Sequence, residues 1–324
     1  MAILIDPPAW PAHGTLWSHL VSDTSTDELH AFARLLGFPR RSFDLDHYDV
    51  AAANFDRAVA LGALPVTGRE VVLRLRESGL RVRQVDRDAV TPLRRRQYLH
   101  EQWGVLGVQL GVASTAVDAW RKLGDDLLVR WNEPHRRYHD ERHLEDVLLA
   151  LDHLETRGER VSPATLLAAW FHDAVYTGAT GDDERGSASL AVLALAALGL
   201  GARLIDEVCA SILATTPGDG DREGDGDGDE RCGQPETRPA TPVAHLLDAD
   251  LWIFASSPSR YAEYAAAVRS EYAHVPDADF AAERARILEA YLDRPSVYVT
   301  AAARHLWESR ARANVAAEVA RLRS

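Results

Sequence analysis

The feature that most constrains this chain is a set of polar side chains within segments that otherwise have the pattern of buried helices. His139 and His143 are four residues apart, so on a helix they lie on one face, one turn from each other. About one helix later, His172 and Asp173 follow the apolar residues 166–171. A buried histidine beside a buried aspartate is costly unless both side chains find partners. A divalent metal ion shared by the two segments would satisfy them.

A metal centre that catalyses hydrolysis needs a few nitrogen or oxygen ligands on rigid elements and an open coordination position. His143, His172 and Asp173 supply three ligands, and a fourth must come from further along the chain. Asp248 and Asp250 are the candidates, because both lie in an apolar helical segment. They are two residues apart, roughly 200° around a helix, so only one of them can face the site.

Length and composition indicate a globular protein with two domains, or one large domain with an appendage. The chain has 324 residues, of which 46% are hydrophobic. Its formal net charge of −13 argues against a nucleic-acid binder or a protein that binds anionic membranes. The two cysteines lack CxxC spacing, and neither a signal peptide nor an apolar run of membrane-spanning length is present. We therefore expect a cytoplasmic protein, and the sequence leaves its oligomeric state open.

Residues 1–85 have the pattern of a small α/β domain. The predicted strands cover residues 2–5, 41–44 and 80–85, and the predicted helices cover residues 25–36, 50–61 and 67–79. This order favours a mostly parallel sheet, in which ligands bind beyond the carboxyl ends of the strands. The polar residues expected there are Asp6, His13 and His19 in a long loop, Asp44, Asp46 and His47. They could form an acidic or metal-assisted pocket, or they could be turn and cap residues.

The remainder of the chain is predicted to be helical. Residues 86–96 are charged and contain a proline, which is typical of a linker, and residues 97–324 form the second predicted domain. Residues 217–242 interrupt its helices with a stretch rich in glycine, aspartate and proline. Such a composition has little apolar surface to bury, so we expect a low-complexity acidic loop insertion.

The ordered set of histidines and aspartates resembles the HD-domain superfamily of predicted metal-dependent phosphohydrolases. The matching segments are Glu133–His139, Trp170–Tyr176, Asp183–Ala188, Asp248–Leu251, Val268–Tyr272 and Arg310–Asn314. The resemblance covers residues from about 95 to 324 and implies an all-α domain of the HD type behind the α/β domain. Residues 1–85 resemble a small bacterial domain of unknown function, through the segments Met1–Pro11, His13–Leu20 and Phe43–Val50.

The resemblance also implies a metal centre. One divalent ion would be bound by His143, His172, Asp173 and Asp250, and Mn, Mg, Co, Zn, Ni and Fe are not distinguished. Asp250 is preferred to Asp248, because the superfamily pattern usually reads Ala-Asp-x-Leu or a close variant, and Asp250 follows Ala249.

Catalytic roles follow from the same resemblance. His139 matches a general acid, and Glu184 matches a carboxylate that could orient water or add to the metal shell. Arg136 and Arg142 could neutralise a phosphate, or they could be solvated charges at a helix end. The expected substrate is a nucleotide or another small phosphate ester.

Two rival functions remain open at this point. The branch commonly carries a histidine where this chain has Pro217 and Gly218, so the domain could bind a metal and a nucleotide as a regulatory module without turnover. Oxygen chemistry at a di-iron site would need two further histidines between Asp173 and Asp250, and His245 alone lies there.

Overall fold

The computed structural model describes residues 2–12, 14–179, 181–216 and 242–324. The chain divides into two compact units. The N-terminal unit comprises residues 1–98 with residues 155–158, and the helical unit comprises residues 99–154 and 159–324. Across the described ranges, no helix combines the length and apolar character needed to cross a membrane.

The N-terminal unit is built on one five-stranded sheet. Its strands are β1 (Ile3–Ile5), β2 (Trp10–Ala12), β3 (Thr15–Ser22), β4 (Tyr48–Ala51) and β5 (Leu64–Pro65). β3 pairs antiparallel with β1, β2 and β4, whereas β1 and β5 pair in parallel. The sheet is therefore mainly antiparallel.

The prediction of a mostly parallel sheet is wrong. Residues 40–42 form a short 3-10 helix where a strand was expected, and residues 80–83 have no regular structure. β3 instead occupies the segment around His19, for which the sequence predicts a long loop. Ala12 and Thr15 are register partners, so the chain reverses within two residues. Only antiparallel strands can be joined by so short a connection.

Three helices cover both faces of this sheet. They are α1 (Thr26–Leu35), α2 (Ala52–Ala60) and α3 (Gly68–Glu77). Successive residues of a strand point to opposite faces. Ile5 accordingly packs with Leu29 of α1 and Ala58 of α2, while its neighbour Leu4 packs with Val71 of α3. The prediction of a small N-terminal α/β region is confirmed.

Two of these helices begin where the sequence predicted. The Ser25 side chain accepts a hydrogen bond from the backbone N–H of Glu28, and the Thr67 side chain accepts one from the backbone N–H of Glu70. Such caps satisfy backbone donors that the first helical turn leaves unpaired.

The body of the protein is helical, as predicted. Its helices are α4 (Arg87–Gln109), α5 (Val117–Trp131), α6 (Glu141–Glu155), α7 (Pro163–Phe171), α8 (Asp182–Ala197), α9 (Ala202–Leu213), α10 (Pro242–Asp250), α11 (Pro258–Glu271), α12 (Asp277–Asp293) and α13 (Ala301–Leu322). The predicted linker, residues 86–96, is helical because α4 begins at Arg87. The predicted acidic insertion lies outside the described residues, except for Pro242 at the start of α10.

A buried aromatic cluster fixes the end of α7. Trp131 and Trp170 are 0% and 1% exposed, and the indole N–H of Trp131 donates to the Trp170 carbonyl at 3.0 Å. Phe171 is also fully buried. This packing holds the last turn of α7, and therefore His172 directly after it, against α5.

Candidate metal centre

Three side chains from three helices meet in the interior of the helical unit. His143 lies in α6, His172 follows α7, and Asp250 is the last residue of α10. The Nε2 atom of His143 is 3.2 Å from Nε2 of His172 and 3.1 Å from Oδ1 of Asp250. Nε2 of His172 is 3.6 Å from the same oxygen. This group could hold a metal ion, and both histidines are buried.

Asp173 brings a second carboxylate to the same point. Its Oδ2 atom lies 3.7 Å from Nε2 of His143 and 3.4 Å from Nε2 of His172. The side chain is 18% exposed, so the group is reached from solvent on the aspartate side. The structure thus places all four predicted ligands around one position.

The hydrogen bonds of His172 determine which of its nitrogens is available. Nδ1 lies 2.9 Å from the Ala169 carbonyl oxygen, which can only accept, so Nδ1 carries the proton. Nε2 then faces two carboxylate oxygens and another imidazole nitrogen. A metal cation, or a proton carried on one of the two imidazole nitrogens, must lie among these atoms, because acceptors alone repel one another.

The pKa values reflect this crowding. Burial alone would lower the pKa of His172, but the carboxylates of Asp173 and Asp250 outweigh burial and raise that pKa to about 9. Burial opposes ionisation of Asp250, yet hydrogen bonds from His143 and His172 lower its pKa far below the usual range. The site therefore favours an ionised Asp250 and a positive charge beside it.

Asp248 has a different role from Asp250. Its carboxylate accepts hydrogen bonds from the backbone N–H groups of Val299 and Thr300, at 2.6 and 2.8 Å. Thr300 caps α13, so Asp248 ties α10 to the start of that helix. Burial raises the pKa of Asp248 to about 6, against the opposing effect of these hydrogen bonds. The structure brings Asp250, and not Asp248, to the histidines.

His139 lies beside the group, in the turn that precedes α6, and not on the helix of His143 as the spacing predicted. Its ring centroid is 5.7 Å from that of His143, and its side chain is 23% exposed. Its Nδ1 atom is 2.7 Å from Oε2 of Glu271, at the end of α11, and its ring stacks on Tyr176 at 4.3 Å. The Tyr176 hydroxyl donates to the same Glu271 oxygen at 3.0 Å.

Glu271 is a site residue that the sequence did not single out, although it lies within a segment that carries the family resemblance. Its second oxygen, Oε1, accepts the backbone N–H groups of Arg137, Tyr138 and His139 at 2.7 to 3.0 Å. Burial opposes ionisation of Glu271, but its bonds to His139 and to this backbone lower its pKa to about 2. Burial would lower the pKa of His139, and Glu271 with the nearby aspartates raises it.

Arg136 does not have the exposure that phosphate binding requires. Its side chain is fully buried, and its guanidinium donates to the carbonyl oxygens of His139, Asp173 and Ala174 at 2.9, 2.8 and 3.3 Å. It also pairs with Glu133. Arg136 therefore joins the His139 turn to the His172–Asp173 turn, and its predicted role in binding substrate is corrected.

The structure also reassigns two other predicted contacts. Arg142 is half-exposed and pairs with Glu263 on α11 at 3.1 Å. Glu184 is the third residue of α8, and its carboxylate accepts a hydrogen bond from the N–H of Gly181, the residue directly before this helix. Its contacts are those of a helix cap, in place of the catalytic or metal-shell role predicted from the resemblance.

The N-terminal candidate residues separate into two groups. His13 lies outside the described residues. Asp44 pairs with Arg87.

Asp6, His19, Asp46 and His47 cluster together. Nδ1 of His19 is 3.0 Å from Asp6, and Nδ1 of His47 is 2.7 Å from Asp46. The sequence analysis missed Asp49, whose carboxylate completes a group with His19 and His47 that could hold a metal ion.

Comparison with known proteins adds one match. The family described as "Protein of unknown function (DUF4031)" matches residues 3–78. No curated protein and no solved structure matches the chain. The match supports the prediction of an N-terminal domain of unknown function.

Proposed function

We propose that the helical unit is a metal-dependent phosphohydrolase that acts on a nucleotide or another small phosphate ester. The observation that carries the proposal is the meeting of His143, His172, Asp173 and Asp250 within hydrogen-bonding and ion-pairing distances. Their order along the chain is that of the HD-domain superfamily, which supports an HD-type domain here. The proposal rests on these residues and their geometry.

The four side chains suit one divalent metal ion. Two imidazole nitrogens and two carboxylate oxygens form a mixed donor set that Mn, Fe, Co, Ni and Zn all accept. The proton on Nδ1 of His172 is held by the Ala169 carbonyl, an arrangement that fixes a metal-binding imidazole in its tautomer. When bound, such an ion would polarise a phosphoryl oxygen and make a coordinated water more acidic.

The chain's own residues supply proton transfer. His139 is partly exposed beside the metal ligands, and Glu271 fixes its ring through Nδ1. Burial opposes protonation of His139, but Glu271 and the nearby aspartates raise its pKa, which favours the imidazolium form that can donate a proton from Nε2 to the leaving oxygen. Glu271 acts through His139 and is a positioning residue.

One observation favours the regulatory alternative. The guanidinium of Arg136 is buried and donates to backbone carbonyls, and Arg142 pairs with Glu263, so both predicted phosphate ligands have other partners. A domain that binds a metal without turning over phosphate esters would need no such cation. The experiment below distinguishes the two functions.

The test compares metal content and turnover in His172→Gln, Asp250→Asn and the parent chain. We expect the purified, untagged parent to hold one metal ion in the helical unit and to hydrolyse at least one member of a panel of aryl, alkyl, cyclic and nucleoside phosphates. Both variants should lose that ion and the activity, because a binding site that lacks one ligand leaves its neighbours as unpaired polar groups.

His305→Gln is the matched control, since this histidine is exposed on α13 of the same unit. It should keep both the metal and the activity. A parent chain that retains the metal but hydrolyses no ester would establish the regulatory alternative. A metal content that is the same in both ligand variants as in the parent would show that the centre is wrongly placed.

A further inference from the structure

A second cluster of potential metal ligands lies in the N-terminal unit, on the strands of the sheet. A ring nitrogen of His19, a ring nitrogen of His47 and a carboxylate oxygen of Asp49 all lie within 4.8 Å of one another. The two imidazole rings meet edge to face, with centroids 5.1 Å apart. Nε2 of His47 is 3.5 Å from Oδ1 of Asp49.

The sheet itself places these three residues. His19 lies in β3 and Asp49 in β4, and the two are register partners across the antiparallel ladder. Directly opposed residues of paired strands have neighbouring side chains. His47 comes directly before β4. The three donors are thus held by paired backbone, which suits a preformed site.

Each histidine ring is oriented by its own buried carboxylate. Asp6 lies 3.0 Å from Nδ1 of His19, and Asp46 lies 2.7 Å from Nδ1 of His47. Both aspartates are 3% exposed. Because both Nδ1 atoms are engaged, Nε2 is the nitrogen that each ring can offer to a ligand.

The two aspartates are in turn fixed by backbone donors. Asp6 accepts the N–H of His19 at 2.5 Å, and Asp46 accepts the N–H of Val82 at 2.7 Å. A simple surface ion pair would not require two buried, backbone-bonded carboxylates. A carboxylate that orients a histidine through Nδ1, while Nε2 binds a metal, is a recurring arrangement in metalloproteins.

From these contacts we infer that the N-terminal unit binds a divalent transition-metal ion through His19, His47 and Asp49, with Asp6 and Asp46 as orienting residues. The inference is independent of the function proposed for the helical unit. Two imidazoles and one carboxylate leave coordination positions open, as in metal centres that bind water or a small anionic ligand. The side chains of His19 and Asp49 are 29% and 52% exposed, so such a ligand can reach the site.

The experiment is a cobalt titration of the untagged full-length chain, followed by absorption spectroscopy in excess magnesium to occupy weak carboxylate sites. It uses a His172→Gln background, in which the helical centre is disabled. In that background we expect one bound Co²⁺ with a ligand-field spectrum. Adding Asp49→Asn or His47→Gln should abolish the binding.

Asp56→Asn is the matched control, because Asp56 is an exposed carboxylate on α2 and its loss changes the net charge equally. It should leave the Co²⁺ stoichiometry and affinity unchanged. Asp49 is half-exposed, so Asp49→Asn is expected to fold, and its circular dichroism spectrum checks this. Binding that survives Asp49→Asn and His47→Gln alike would overturn the inference.

Asp6→Asn tests the orienting role. An amide at this position no longer fixes the Nδ1 proton of His19, so Co²⁺ affinity should fall roughly 10- to 100-fold while one equivalent still binds. A change in thermal stability with unchanged Co²⁺ affinity would contradict the orienting role. If the helical centre proves to bind no metal, the parent chain and the His172→Gln chain will both bind one Co²⁺, and the Asp49→Asn result will still decide the question.

Discussion

At the scale of single residues, His139 and His143 illustrate how hydrogen bonding separates the roles of two similar side chains. They are four residues apart, yet Nε2 of His143 faces the other ligands while Nδ1 of His139 faces Glu271. Glu271 also holds three backbone N–H groups of the turn that carries His139. Glu271, the last residue of α11, therefore fixes both this turn and the orientation of the His139 ring.

We predict that His139→Asn keeps the metal and the fold while lowering turnover by roughly 100-fold. Asparagine removes the proton donor but leaves the four proposed ligands in place. The loss should be smaller for aryl phosphates than for alkyl phosphates, because good leaving groups need little protonation. Steady-state kinetics on both substrate classes, with metal analysis, provides the measurement. His305→Asn serves as the control and should change neither quantity.

Equal loss of turnover on good and poor leaving groups would show that His139 is not the acid. Loss of the metal in His139→Asn would instead make it a ligand.

Sequence reasoning identified some of these residues and could not identify others. The residues predicted as ligands meet in the structure. His143, His172 and Asp173 were predicted from their position in apolar segments, which is a local signal, whereas Asp250 was chosen over Asp248 through the family resemblance. Arg136 was misassigned, because the sequence does not reveal that its guanidinium is buried and donates hydrogen bonds to backbone carbonyl oxygens. Glu271 was missed as a partner because it is separated from His139 by 132 residues.

At the scale of secondary-structure elements, α4 and α5 show how glycines permit close packing. The indole rings of Trp103 and Trp120 stack at 4.0 Å, and each indole N–H donates to the other residue's carbonyl at 2.8 and 3.0 Å. Gly107 lies under Trp120, and a Cβ atom there would be 2.5 Å from the indole Nε1. Gly104, on the same helix, has no atom within 4 Å of such a Cβ among the described residues.

We predict that Gly107→Ala lowers the free energy of unfolding of the helical unit by roughly 1–3 kcal/mol, because the added methyl group must displace a stacked indole ring. Gly104→Ala is the matched control and should leave stability unchanged or raise it by up to about 1 kcal/mol, the usual helix-propensity gain. Urea denaturation followed by tryptophan fluorescence measures both. Equal stabilisation by the two substitutions would refute the packing argument.

The sheet shows a different limit of sequence analysis. The three helices of the N-terminal unit were predicted because caps and stops are local signals, as at Ser25 and Thr67. Strand pairing is not local. Missing β3 as a strand placed His19 in a loop, which hid its register partner Asp49 and led to the wrong sheet direction.

At the scale of the whole molecule, the two compact units carry separate candidate metal sites. The N-terminal unit has apolar clusters on both faces of its sheet, and Trp131 and Trp170 are buried in the helical unit. Compact units of one chain can unfold in different transitions, so a single unfolding midpoint need not describe the chain.

We predict two calorimetric transitions whose midpoints respond to metal independently. A metal ion that binds only the folded state stabilises the unit that holds it, by about 2.7 kcal/mol when the free ion is at 100 times its Kd. Zinc should therefore raise both midpoints in the parent chain. Asp49→Asn should abolish the rise in one transition, and His172→Gln should abolish it in the other. Asp56→Asn should preserve both shifts, and a variant that abolished both at once would show that the two sites do not act on separate units.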